Sequence, residues 1–398
     1  MSLSASDIQT AATQLPDSSR PPVTPPKSRI LPWRDAAPMW REAEARGHLS
    51  PYQTWRWISA WNEEIEEPQG RNPIVLLIES ETGDRLLLPL TLKKIGPARA
   101  AVVVGEDHAN FKFPILSGPA TEWRPDVLRS TIVSTLRKAG IDLLILDNMP
   151  MEWEGVPNPL APMLTHQGPT LGFKTALHTK LDDYLAERLS HSHLKKHRQK
   201  ERGLGRLAPL NFFRASTMAE VTKILDAFFQ LKADRFAELG IPDVFRDEGT
   251  KAFMRRCATE HLTTGSPALV LYALTSGDRV VAIYGGCEHG PRFSGSVNAM
   301  ALDSQTRRYS PGDILLLRLI GDCGERGFQT FDLGLGEASY KMQYCPEIQQ
   351  VYDGVIANTG LGSIVSWLWH GWRDLKFRLK QRPALLARLQ HIRRLLVR

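Results

Sequence analysis

Trp55, Trp57, Ile58 and Trp61 recur at helical spacing, and the runs from Pro73 to Glu79 and from Arg85 to Leu92 follow as strands around the turn Glu81-Thr82-Gly83-Asp84. Two more apolar runs, Ala101-Val102-Val103-Val104 and Leu143-Leu144-Ile145-Leu146, read as strands on either side of a helical stretch over 124–140. The first half is therefore predicted to be a mixed sheet with helices. From about Leu181 the apolar period lengthens, and helices are predicted over 181–206, 217–239 and 247–264. The second of these opens on a capping-box pattern, Thr217 to Glu220, and closes near Gly240. Strands follow over 268–274, 279–287 and 292–302, separated by Thr275-Ser276-Gly277-Asp278 and His289-Gly290-Pro291. A turn holding Gly312, a helix over 313–326 closed by Gly327, and a strand over 330–335 complete the unit. Strand, turn, helix and strand in that order make a βαβ crossover, whose two strands lie parallel.

The ends of the chain carry different patterns. Residues 1–32 hold Pro16, Pro21, Pro22, Pro25 and Pro26 among polar residues, and are expected to be a disordered leader. Two globular units are expected over 33–178 and 179–356, and a basic amphipathic helical tail, broken at Pro383, over 357–398. At 398 residues and 42% hydrophobic the chain is long enough for both units. The N-terminus lacks the charged flank and apolar core of a secretory signal, and no run of roughly 18 apolar residues occurs, so a cytoplasmic protein is expected. Cys257, Cys287, Cys323 and Cys345 form no Cys-x-x-Cys pair, which argues against a disulfide framework or a zinc knuckle. The net charge of +7 is local: residues 361–398 hold nine Lys and Arg against Asp374 alone, a net of +8, and the other 360 residues sum to −1. A near-neutral body with one basic tail argues against a nucleic-acid-binding fold, and leaves the tail to meet anionic lipid, an acidic partner or nothing specific, with its apolar residues packed on the body in the last case.

Candidate chemistry concentrates between Arg307 and Lys341. The turn Arg307-Arg308-Tyr309-Ser310-Pro311-Gly312-Asp313 opens a helix, a layout that suits an anion facing backbone amides. Alternation along Phe331 to Gly336 puts Asp332 on one face with Gly334 and Gly336, where the glycines would leave room for a substrate. Glu337, at the strand end, is a candidate base for an amine proton, Asp332 a candidate positioning group, and Lys341 a candidate partner for either carboxylate. On the predicted helix from Leu181, His193, His197 and Lys200 share one side, and Lys195, Arg198 and Arg202 another. Arg198 is the candidate clamp for a phosphate or an anionic acceptor. The histidines lack a Glu in His-Glu-x-x-His order, so no metal site is expected. Asp107 and His108 read as an acid-base pair that could line an acceptor cleft.

These elements and motifs resemble the acetyltransferase domain of the cellulose-biosynthesis (CelD/BcsL-like) family within the GNAT superfamily. The likeness spans roughly 35–356 and extends to the first half through its Trp-rich opening helix, Leu88-Pro89-Leu90 and Asp107-His108-Ala109-Asn110. The resemblance implies an α/β fold of two tandem GNAT-like domains, arranged as in Fem ligases, and acetyl-CoA or another acyl-CoA as co-substrate. The GNAT phosphate signature, Gln/Arg-x-x-Gly-x-Gly/Ala, matches Arg307, Ser310 and Gly312, with Ser310 replacing its first glycine in the Ser-Pro-Gly form of this family; Arg308 and Asp313 sit within the same loop. By resemblance, the strand Val297 to Ala301, which contains Met300, would hold the pantetheine arm. Tyr340 would be the acid that protonates the departing thiolate. A small-molecule or saccharide amine would be the acceptor, in exopolysaccharide or envelope synthesis and beside the inner membrane if the tail touches lipid. A Fem-like transferase using aminoacyl-tRNA and a non-catalytic scaffold are the competing readings.

Overall fold

The computed structural model describes residues 25–118 and 123–380, with side chains described as far as Gly371. In the first half, β1 (Lys27–Pro32) precedes helices α1 (Ala37–Arg46) and α2 (Trp55–Trp61), strands β2 (Ile74–Glu79), β3 (Arg85–Ile95), β4 (Ala98–Val103) and β5 (Ile115–Leu116), then α3 (Pro125–Lys138). Strand β6 (Leu143–Pro150), the small hairpin β7 (Glu152–Trp153) and β8 (Val156–Pro157), and β9 (His166–Ala176) complete it. The expected structureless leader thus ends early: residues 27–32 pair antiparallel with β2, and only the part before residue 25 lies outside the described residues. Ile30 and Leu31 supply the apolar contact, and Pro32 is tolerated because it closes the strand.

In the second half, α4 (Leu181–Arg188) and α5 (His191–Gly205) stand where one helix was expected. Ser190 breaks the run, its hydroxyl accepting from the His193 amide as an N-cap. Strand β10 (Leu210–Arg214), α6 (Met218–Leu239) with its full capping box at Thr217 and Glu220, and α7 (Glu248–Thr259) lead to β11 (Val270–Ser276), β12 (Arg279–His289) and β13 (Arg292–Met300). A single turn, α8 (Ser304–Arg307), precedes α9 (Pro311–Glu325), β14 (Thr330–Leu335), α10 (Ser339–Tyr344), β15 (Glu347–Ala357) and α11 (Gly360–Lys380). The β13-α9-β14 unit is the expected crossover, and its strands pair in parallel.

One mixed sheet runs through both halves in the order β1-β2-β3-β4-β6-β15-β9-β14-β13-β12-β11-β10. The seam is interleaved. Strand β9 pairs with β14 of the second half, and β15 returns from the far end of the chain to lie between β6 and β9. The sheet therefore crosses the boundary placed at 178/179. Its apolar faces bury α9, whose apolar residues from Ile314 to Ile320 are almost wholly inaccessible, and on the other half the aromatic set Trp40, Tyr52, Trp57 and Trp61. The four cysteines are buried and free.

Candidate functional site

The parallel pairing of β13 with β14 covers only Arg292 to Ser294 against Thr330 to Asp332. Beyond that the strands part, and three arrangements keep them apart. At the root, Phe293 and Phe331 stack at 5.2 Å, and the buried Asp332 accepts from Arg292 Nε at 2.7 Å, from Ser294 Oγ at 2.5 Å and, through its other oxygen, from the Gly334 amide at 2.8 Å. Arg292 in turn reaches Glu154 and Gln349 and lies 4.0 Å from the Trp153 ring, so the guanidinium is enclosed by both halves. On the β13 side, the Gly295 carbonyl lies against Gly334 of β14, past the last paired residues. It accepts from Tyr52 Oη at 3.2 Å and Asn110 Nδ2 at 3.0 Å, both from the first half. On the β14 side, Lys341 Nζ donates to the carbonyls of Leu333, Gly334 and Leu335 at 2.8, 3.3 and 3.0 Å. Gly334 itself takes φ +67°, and a Cβ there would lie 2.5 Å from Asn110 Nδ2, so this position admits only glycine.

Where the strands part, a cavity of about 270 Å³ opens between β12, β13, α6, α10 and the start of α9. Asn298, Ala299 and Met300 form its β13 wall, Gly312 and Asp313 its α9 end, and Tyr340 a third side. Asn298 Nδ2 donates to Tyr340 Oη at 3.2 Å, and burial pushes the phenol up to about 12. Lys232 also lines the cavity, its ammonium within 6 Å of the Phe228, Phe236 and Phe245 rings, and burial lowers its pKa.

At the α9 end, Ser310 is in the left-handed region, with φ 49° and ψ 62°, an uncommon conformation for serine. The next residue, Pro311, opens the helix without needing a donor partner. Lys200 Nζ, from α5, donates to Ser310 Oγ at 2.8 Å and lies 3.9 Å from the Asp313 carboxylate. His197, one turn earlier on α5, keeps a buried Nε2 without a hydrogen-bond partner, and burial holds its pKa below the usual range. Asp313 is shifted the other way: desolvation raises it, while Lys200 and His197 partly counter. Gly203 lets α5 approach this loop, since a Cβ there would meet the Tyr309 ring at 2.3 Å.

The sequence-predicted residues sort unevenly on this frame. Met300, Gly312, Asp313 and Tyr340 come together around the cavity, with Ser310 at its α9 end. Arg307 and Arg308 lie on the exposed side of the loop, where Arg307 pairs with Glu238 and Arg308 covers the Tyr309 ring. Asp332 is not open to a substrate: both its oxygens are committed inside the sheet, because the glycine face it shares is closed by Arg292 and Asn110. Glu337 is exposed and outside the cavity lining, carried outward by the left-handed Gly336 at φ 102°. Lys341 pairs with neither carboxylate and is buried against backbone. Arg198 points to solvent, and Lys200 is the α5 cation that meets the phosphate-type loop. Asp107 is exposed, while His108 packs among Trp61, Phe245 and Phe253 beside Ser296 and Val297, with no hydrogen bond between the two among the described residues. Tyr52, Asn110 and Lys200 were missed as site-forming residues. Asn110 stood in a quoted motif, but its target, a strand carbonyl 185 positions away, leaves no local trace.

Residues 191–342 match the family model described as an acetyltransferase (GNAT) domain. That stretch is in class a GNAT-type acyltransferase domain. FemX shares the fold: at 10% identity the two superpose with a TM-score of 0.55 over 85% of this chain and all of that one. Two tandem GNAT-like halves in a Fem-like arrangement are therefore the architecture. A conserved protein from Bacteroides thetaiotaomicron VPI-5482 aligns at 11% identity and TM-score 0.49 over 84% of this chain and 99% of its own. A tandem GNAT protein from the clavulanic acid pathway aligns at 11% and 0.46 over 84% and 99%. No curated protein sequence matches the chain. No group of His, Cys, Asp or Glu among the described residues is arranged to hold a metal, and no helix there is long and apolar enough to cross a membrane.

Proposed function

We propose that the chain transfers an acyl group, acetyl or longer, from an acyl-CoA to an amine. The observation that carries this reading is the cavity along β13, past the point where its pairing with β14 ends, which has a glycine-bearing helix start at one end and a phenol on its wall. Gly312, which offers its amide and has no side chain, and Lys200 supply donors for a diphosphate at the start of α9. The backbone edge of Val297 to Met300 turned away from β12, beyond the last pair with β14, can hold the pantetheine amides and polarise the thioester carbonyl.

In the reaction, the amine nitrogen attacks the thioester carbon in a ternary complex. The carbon–sulfur bond breaks, the thiolate takes the Tyr340 proton, and the amine proton leaves through water. Tyr340 suits the acid role because burial keeps it protonated far above neutrality. Glu337, exposed and off the cavity, has no contact that supports it as base; Asp313 is the carboxylate on the cavity wall. A saccharide amine acceptor and a place in exopolysaccharide synthesis rest on the sequence resemblance alone.

The test is calorimetric titration with CoA and acetyl-CoA, followed by thiol-release assays with a panel of amines. Micromolar binding abolished by Ser310→Pro together with Gly312→Val supports the reading. No heat with any acyl-CoA on folded protein refutes it. Binding of aminoacyl-tRNA in its place, at low salt, would move the chain to Fem-like chemistry.

A further inference from the structure

Helix α11 lies across the sheet at β4, β6, β9 and β15. It is seated by Val365, packed with Ala98, Ala100, Leu143 and Ile145, by Trp369, and by His370 stacked on His166 at 4.1 Å. The other side of the same helix carries Leu361, Ile364, Trp367 and Leu368, at the spacing that makes one stripe. Ile364 is 62% and Trp367 74% exposed, well beyond what a packed helix shows at large apolar positions.

Charge narrows what covers the stripe. From residue 361 onward the sequence has nine cations and one acid, whereas the rest of the chain is near neutral. Two copies meeting on this face would bring two +8 segments together, which opposes self-association. The helix does not qualify as a membrane span, and an apolar stripe followed in sequence by a cationic run suits a ligand with an apolar interior and an anionic surface. Tryptophan favours the boundary between acyl chains and headgroups, and a single amphipathic helix with cations binds there. We propose that α11 lays the Leu361-Ile364-Trp367-Leu368 stripe on an anionic lipid bilayer, with the following cations meeting the lipid phosphates.

The experiment uses the full chain, with Ile364→Ser/Trp367→Ser as the variant. Both side chains are exposed, so far-UV circular dichroism and the melting temperature should match the parent. Co-sedimentation is measured with vesicles of phosphatidylglycerol in phosphatidylcholine and with phosphatidylcholine alone. The expected result is partitioning to the anionic vesicles, weakened at high salt, and at least about tenfold weaker for the variant. The proposal is overturned if the chain ignores anionic vesicles, or if the variant binds them as well as the parent, which would assign binding to the cations alone. It is equally overturned if sedimentation equilibrium finds a dimer that the variant loses, since a second copy would then own the stripe.

Discussion

Lys341→Met separates two roles for one ammonium. Methionine is close to lysine in length and apolar, so the space stays filled while all three donors disappear. The carbonyls of Leu333 and Gly334 are buried and face the parted strands, so neither β13 nor water readily replaces the lost bonds. Hydrogen bonds to a charged group contribute about 1.5–3 kcal/mol each, and two such losses set a gross cost of about 3–6 kcal/mol. Removing a buried ammonium returns part of this, since its desolvation already lowers the pKa to about 8. A net loss of about 2–4 kcal/mol is expected, which at an m-value near 3 kcal/mol/M moves the urea midpoint down by about 1 M. Acyl transfer should fall with it, because β14 is no longer held off β13. Equilibrium urea unfolding, read beside kcat and KM, decides the matter. A variant with the parent's midpoint but a raised KM would refute the strut and return Lys341 to substrate contact.

Tyr340→Phe should lower kcat by about 10²–10⁴ with little change in KM, whereas Glu337→Gln should leave both near parent values. The phenol is raised from 10 to about 12, so its folded-state proton is held until pH rises through the higher value; the pH-rate profile should therefore show no fall near 10 from loss of the acid. Gly334→Ala should destabilise by about 2–4 kcal/mol in thermal or urea unfolding, from left-handed backbone and a 2.5 Å clash with Asn110. Gly312→Ala should leave stability within about 1 kcal/mol, as its Cβ would meet only Met300 at 3.4 Å, yet should weaken CoA in calorimetry.

Local pattern made the crossover and its loop legible: Gly312, the run Ile314 to Ile320 and the strand to Leu335 carry their signals within a few residues. Strand β15 was illegible for the opposite reason. Gln349, Gln350 and Asp353 interrupt its alternation, because a strand flanked on both sides by others takes its stability from pairing and not from an apolar face. Asp332 and Lys341 were recognised as unusual residues at the right place, but their partners, Arg292 and three backbone carbonyls, depend on where two strands stop pairing. The α4/α5 break was present as Ser190, whose capping role was masked by a continuous helical period on either side.

The interleaving of β9 and β15 bears on how this enzyme can be taken apart. A cut after residue 178 would strand β14 without one neighbour and leave β6 with a raw edge, so neither fragment contains its own complete sheet. Each would expose unsatisfied amides that invite aggregation. The second half is thus no portable cassette: fusion partners and tags belong at the chain ends, and dissecting the halves calls for supplying both pieces together and letting them reassemble.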